Sequence, residues 1–129
     1  MWGSTPLYIG EIFSVVVRDL AGARKWYEER LGMRLSSEKV EDDSGLSGIA
    51  LQFGRSGETI WLLQSDSEIA GDPDGGVRPM LYAKNLRKAR EWILARGIRV
   101  DEMQQDSGGN EFFVFRDLDG NGIEVCREG

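Results

Sequence analysis

Asp19-Leu20-Ala21-Gly22-Ala23-Arg24-Lys25-Trp26-Tyr27 and Asn85-Leu86-Arg87-Lys88-Ala89-Arg90-Glu91-Trp92-Ile93 repeat one pattern at an offset of 66 residues. Leu20 matches Leu86, Ala23 matches Ala89, Trp26 matches Trp92 and Tyr27 matches Ile93. Apolar residues at three- and four-residue spacing line one face of a helix. Leu31 extends the first stripe, and Gly32 and Gly97 supply the left-handed residue that ends each helix. Asp19 and Asn85 stand at the N-cap positions, where a side-chain oxygen can accept from the N–H groups freed at a helix start. Gly22 inside the first helix costs about 1 kcal/mol relative to alanine. The period is too long for a solenoid unit, and there are only two copies.

Each helix is followed by strand signals. Ile12–Val17 precedes the first helix as a β-branched run with the length of a largely buried strand. Arg34–Val40, Gly48–Phe53 and Thr59–Gln64 come after it, separated by polar clusters at 42–47 and 54–57. Val77–Lys84 is the matching strand before the second helix, and Pro79 within it argues for an edge or irregular position. Ile98–Met103, Glu111–Arg116 and Gly122–Arg127 complete the second half. The chain therefore reads as two β-α-β-β-β modules, about 8–64 and 77–127, joined by an acidic linker at 65–76 within one domain spanning 1–129.

Composition narrows the chemistry. The 129 residues carry 22 acidic and 16 basic side chains, a formal charge of -6, which repels phosphate backbones and argues against a nucleic-acid partner. No apolar run approaches the ~18 residues of a membrane span, and the first six residues lack a basic-then-apolar signal pattern. The single cysteine, Cys126, excludes an internal disulfide and fits a reducing cytoplasm. The histidine count is zero, so no histidine-based triad and no H-E-x-x-H zinc site can exist. Any metal would sit among oxygen ligands, and acid–base work would fall to a carboxylate, a lysine or a tyrosine.

The duplicated plan resembles the vicinal oxygen chelate superfamily of glyoxalase I, extradiol dioxygenases and fosfomycin- and bleomycin-resistance proteins. The matching motifs are Val17-Arg18-Asp19-Leu20, Trp26-Tyr27 and Leu31-Gly32-Met33 in the first half. The second half contributes Phe115-Arg116-Asp117-Leu118-Asp119-Gly120-Asn121-Gly122-Ile123-Glu124-Val125. The resemblance implies an α+β fold: two tandem modules whose curled mixed sheets surround a cup, with the helices outside. Metal-dependent members take a His or Gln from the first strand of each module and a Glu from the last strand of each. Here those positions fall on Ile12, Arg78, Leu62 (or Trp61 if the register slips by one) and Glu124. Isoleucine and leucine have no donor atom and arginine keeps its proton, so only Glu124 could ligate. The resemblance thus implies a cup without the family's metal site. The alternative is one divalent ion held through Glu124.

Alternation from that ligand register places Ser14, Val16 and Arg18, then Arg78, Met80, Tyr82 and Lys84, then Phe112, Val114 and Arg116 on the cup face. Ser14, Arg18, Arg78, Met80, Tyr82, Phe112, Val114 and Glu124 are the candidate ligand-binding residues, an apolar wall with a few polar groups. Glu124 could meet the ammonium or hydroxyl of a ligand, or form a structural ion pair with Arg78. Arg18, Lys84 and Arg116 lie at strand ends, where solvated rim charges are the plainer reading. Cys126 shares the Glu124 face and reads as an inert thiol, while Trp26, Tyr27 and Trp92 read as core. Asp117–Glu128 satisfies the literal calcium-loop pattern, but a strand precedes it and position eight is Glu124, so Asp119-Gly120-Asn121-Gly122 reads as a hairpin turn.

The expected function is that of a bleomycin-resistance-like protein binding a small organic molecule, without catalytic residues and without a cofactor. The rival is a lyase, isomerase or dioxygenase of glyoxalase descent, metal-dependent or using Glu124 and Tyr82 alone. A third reading is a regulatory module whose cup holds an effector. Exposed sheet edges predict a homodimer. The linker reaches roughly 20 Å when flexible, which permits either folded-back or exchanged modules.

Overall fold

The computed structural model describes residues 7–9, 13–53, 59–65 and 79–127. Strand β1 (Tyr8–Ile9) is followed by β2 (Phe13–Val17), α1 (Leu20–Leu31), β3 (Met33–Glu41), β4 (Ser47–Phe53) and β5 (Thr59–Gln64). The second module runs β6 (Met80–Ala83), α2 (Leu86–Ala95), β7 (Gln104–Gln105), β8 (Glu111–Arg116) and β9 (Gly122–Arg127). Two sheets result, ordered β2-β5-β4-β3 and β1-β6-β9-β8-β7, and neither closes into a barrel. In each, the strand before the helix runs parallel to the last strand, β2 beside β5 and β6 beside β9, and the other pairings are antiparallel. The fold is the expected α+β duplication, with curled mixed sheets and helices on one side.

Alternation divides each sheet into a core face and a cup face. Val15 pairs with Leu62 and Leu62 with Ile49, and all three are buried in the core cluster. In the second sheet Leu81, Val125 and Phe113 form the equivalent row, each fully buried. The two rows and both helix stripes belong to one continuous cluster, so the modules share a core within a single chain.

Three contacts lock the modules together. Tyr27 of α1, fully buried, donates its hydroxyl hydrogen to Asp117 Oδ2 at 2.6 Å in the β8–β9 turn. Asn121 of that turn donates through Nδ2 to the Val16 carbonyl at 3.1 Å. The helix C-termini exchange caps: Arg30 donates to the Arg96 carbonyl, and Arg96 donates to the carbonyls of Arg30 at 2.6 Å and Glu29 at 2.8 Å. Arg30 and Arg96 are themselves 66 residues apart. Each satisfies carbonyls the other helix leaves without an internal partner.

Several sequence expectations need correction. Ile98–Met103 is not a strand: Val100 makes one bridge to Phe115, and the ladder resumes only at Gln104–Gln105. The Asp101 N–H still donates to the Val114 carbonyl at 2.8 Å and the Arg99 carbonyl accepts from Arg116 at 2.9 Å, but the Asp101 carbonyl is taken by Arg90 of α2, whose Nε and Nη2 lie at 3.2 and 3.0 Å. Asn85 caps α2 by accepting from the Lys88 N–H at 3.0 Å, but Asp19 makes no side-chain cap, and the Leu20 N–H goes to Gln64 Oε1 instead. Strand β6 begins at Met80, and Ile12, Val77 and Arg78 lie outside the described residues. Strand β1, on the outer edge of β6, was not anticipated. Asp117–Asn121 is a hairpin turn between two strands, as expected.

Candidate functional site: a cup on the second sheet

On the face opposite the core, strand pairing sets two rows of side chains. Tyr82, Cys126, Phe112 and Gln104 are mutually paired across β6, β9, β8 and β7. Met80, Glu124 and Val114 form the adjacent row. Five of these residues, Met80, Tyr82, Phe112, Glu124 and Cys126, form the floor of a cavity of about 570 Å³, and Asp106, Gly109, Asn110 and Glu111 stand at one lip. That volume is in the range of small-molecule sites. Val114, in the same row as Glu124, is 1% exposed and does not line the cavity.

Polar groups converge on the same space. Cys126 donates its thiol hydrogen to Glu124 Oε2 at 3.3 Å. Burial, then the hydrogen bond to Glu124 and its charge, push the Cys126 thiol up to about 12, so it stays protonated at neutral pH. The Tyr82 hydroxyl donates to the Met80 sulfur at 3.4 Å. Arg127 Nη2 lies 3.1 Å from Glu111 Oε1.

The lip is a five-residue turn built by its first residue. Asp106 Oδ1 accepts from the N–H groups of Gly108 and Asn110 at 2.9 and 3.0 Å, and Asn110 Nδ2 donates to Asp106 Oδ2 at 3.2 Å. The Asn110 bonds, backbone first, hold the Asp106 carboxyl below its ordinary range, with burial opposing more weakly. Gly109 carries φ of +82°, which favours glycine. The same construction recurs at 42–46 and 117–121, where Asp42 and Asp117 accept in the same way and Gly45 and Gly120 have positive φ. Asp-x-x-Gly begins at six places in the sequence, 19, 42, 72, 106, 117 and 119, and it forms this turn at 42, 106 and 117, so the pattern marks the lip residues Asp106 and Asn110 as turn candidates without singling them out.

Not every sequence candidate reaches this cavity. Ser14 is exposed on the cup face of β2, opposite Trp61 and away from the cavity, and Arg18 is exposed beyond the end of β2. Lys84 is exposed, and Arg116 pairs with Asp101 at 3.2 Å. Arg78 lies outside the described residues. Leu62 is corrected: it is fully buried against the helix side, and Trp61 takes the cup face. The four central residues of β5, Ile60 to Leu63, are apolar on both faces, so their periodicity could not fix the register. The pairing does: Trp61 faces Ser14 as Glu124 faces Met80, 66 residues on from Ser14.

Two modules with cup-forming sheets and outer helices define a glyoxalase-type fold. The sequence profile of the Glyoxalase/Bleomycin resistance protein/Dioxygenase superfamily matches residues 9–125, and the chain belongs to that superfamily. Among solved structures it is similar to an integron cassette protein from the mobile metagenome of V. Cholerae, at 26% identity and TM-score 0.60, covering 92% of this chain and 94% of that one. A glyoxalase/bleomycin resistance protein from Streptomyces sp. matches at 25% identity and TM-score 0.59, covering 90% and 97%. TnmS3, an antibiotic binding protein from Streptomyces sp., shares the fold at 24% identity and TM-score 0.63, covering 92% and 94%. No curated protein matches the chain.

Proposed function

We propose that the cup of the second sheet holds a small organic molecule and does so without a metal ion of the family's kind. The observation that carries the reading is the convergence of Met80, Tyr82 and Phe112 with Glu124 around one cavity, on the face the core does not use. Apolar walls with few polar groups are what small-molecule sites are made of. The fold also serves antibiotic binding in TnmS3.

The donor set argues against the family's metal. Trp61 is the register counterpart of Glu124, and an indole N–H donates but offers no lone pair to a cation. Ile12 and Arg78 supply none either. One carboxylate with a thiol pushed to about 12 is a poor cage for a divalent ion, because ligating thiols must lose their proton. The proposal includes a homodimer, since exposed sheet edges favour pairing with a second copy and closed two-fold dimers are the commonest soluble symmetry.

Titration of chelator-treated protein with nickel, cobalt and zinc tests the metal half. The expected result is an unchanged melting temperature for each ion. Saturable binding of one ion per chain, abolished by Glu124→Ala, would overturn it.

A further inference from the structure

We infer that the cup takes a flat aromatic ring, seated between Tyr82 and Phe112 with Cys126 beneath it. The inference rests on the ligand-binding reading above and adds the shape and chemical class of the occupant.

The row that meets a ligand is ring, thiol, ring. Tyr82 pairs with Cys126 and Cys126 with Phe112, so the three side chains rise from neighbouring strands on one face. All three are half-buried and line the cavity. Gln104, the next member of the row, is exposed and does not line it. Two strand spacings put the Tyr82 and Phe112 Cα atoms about 9.5 Å apart. Rings rising in parallel from those positions stand farther apart than the about 4.5–7 Å at which two aromatic rings pair directly. A third ring in contact with both needs about 7–8 Å between them, two carbon–carbon contacts of about 3.5–4.0 Å each. Cys126 is short, so both rings can lean over it to that distance. A large-small-large row is shaped to receive an inserted group rather than to close on itself.

The sides and the base of this gap are held by their own neighbours. The Tyr82 hydroxyl donates to the Met80 sulfur at 3.4 Å, which ties the phenol to the next cup-facing residue of β6. Cys126 donates to Glu124 Oε2 at 3.3 Å, and burial and that bond push its thiol up to about 12, so the proton stays at neutral pH. The base of the gap is therefore uncharged, polarisable sulfur, which makes favourable contact with an aromatic edge. Side chains fixed before binding lower the ordering cost of holding a ring between them.

Two neutral probes with one carbon skeleton separate flatness from hydrophobicity: naphthalene-2-methanol and its decahydro analogue. Each is titrated into the isotopically labelled full chain and followed by amide shifts. The saturated skeleton exposes more apolar surface, so burial alone would favour it. The flat probe is expected instead to saturate one site per cup about tenfold more tightly. Phe112→Leu and Tyr82→Leu keep the wall apolar and remove one ring each. Each should weaken the flat probe by roughly fivefold and the saturated probe by less than about twofold. Cys126→Phe, which fills the gap from below, should abolish saturable binding of the flat probe; if it does not fold, the two leucine variants carry the test. Leu118→Ser, at an exposed apolar side chain outside the cup, should change nothing. Equal or tighter binding of the saturated probe, or equal losses of both probes in the leucine variants, would overturn the flat-ring class and leave the cup intact. Retained binding in folded Cys126→Phe, or a loss on Leu118→Ser as large as on Phe112→Leu, would overturn the seat between the two rings. No saturable binding by either probe would overturn both the inference and the ligand-binding reading.

Discussion

Replacing Tyr27 with phenylalanine removes one oxygen atom and asks whether the modules are held as one body through the β8–β9 turn. The ring is fully buried, and its hydroxyl donates to Asp117 Oδ2 at 2.6 Å. Asp117, 7% exposed, also accepts from the N–H groups of Asp119 and Asn121 at 2.9 and 2.8 Å and from Asn121 Nδ2 at 3.0 Å. A hydrogen bond to a charged group contributes about 1.5–3 kcal/mol. Three donors stay on Asp117 after the substitution, so no charge is orphaned and the loss belongs at the lower end, about 1.5–2 kcal/mol. For a chain of this length that lowers Tm by roughly 5–10 °C.

The same substitution has a pH signature. Burial first, and then the charge of Asp117 and the hydrogen bond to it, raise the Tyr27 pKa well above 10.0. The fold keeps the phenol neutral, whereas the unfolded chain ionises it from about pH 10. The contribution of Tyr27 is therefore complete below pH 10 and is lost as pH rises from there toward the folded pKa. Urea unfolding followed by circular dichroism, near pH 8 and near pH 11, measures both effects. The gap between the native chain and Tyr27→Phe should be about 1.5–2 kcal/mol at the lower pH and should narrow at the higher one. A gap below about 0.5 kcal/mol near pH 8, where surface changes fall, would refute the latch. A gap that does not narrow would refute the assignment of the raised pKa.

Two further outcomes follow from the cup and from assembly. With its thiol at about 12, Cys126 should react with iodoacetamide at pH 8 about a thousandfold more slowly than in the urea-unfolded chain, and Glu124→Gln should speed the reaction; a native rate within tenfold of the unfolded one contradicts this. Light scattering at low micromolar concentration should give twice the chain mass of 14.4 kDa, and a value near 14.4 kDa would mean a monomer.

The repeat made most of the fold legible. The 66-residue offset that matches Leu20 to Leu86 set both helices and also relates Arg30 to Arg96 and Ser14 to Met80, while the cup faces came from the family register and strand alternation. Boundaries were readable where turn chemistry is strong: Thr59–Gln64, Glu111–Arg116 and Gly122–Arg127 fall where the composition placed them. Legibility failed where long-range partners decide. The Asp101 carbonyl goes to Arg90, 11 residues away in α2, and the segment 98–103 keeps only a single bridge to β8. In β5, Ile60, Trp61, Leu62 and Leu63 are all apolar, and only pairing with β2 and β4 shows which of them face the cup. Met80, Tyr82, Phe112 and Glu124, expected from the family register, line the cavity, and the lip was not expected, because its side chains come mostly from a turn rather than an alternating strand.

The most direct test of a metal-independent small-molecule cup is heteronuclear NMR of the labelled chain with a library of small aromatic molecules, run with excess chelator. The proposal predicts saturable shift changes concentrated at Met80, Tyr82, Phe112, Glu124 and Cys126. Shifts centred elsewhere, or binding that appears only after a divalent ion is added, would contradict it.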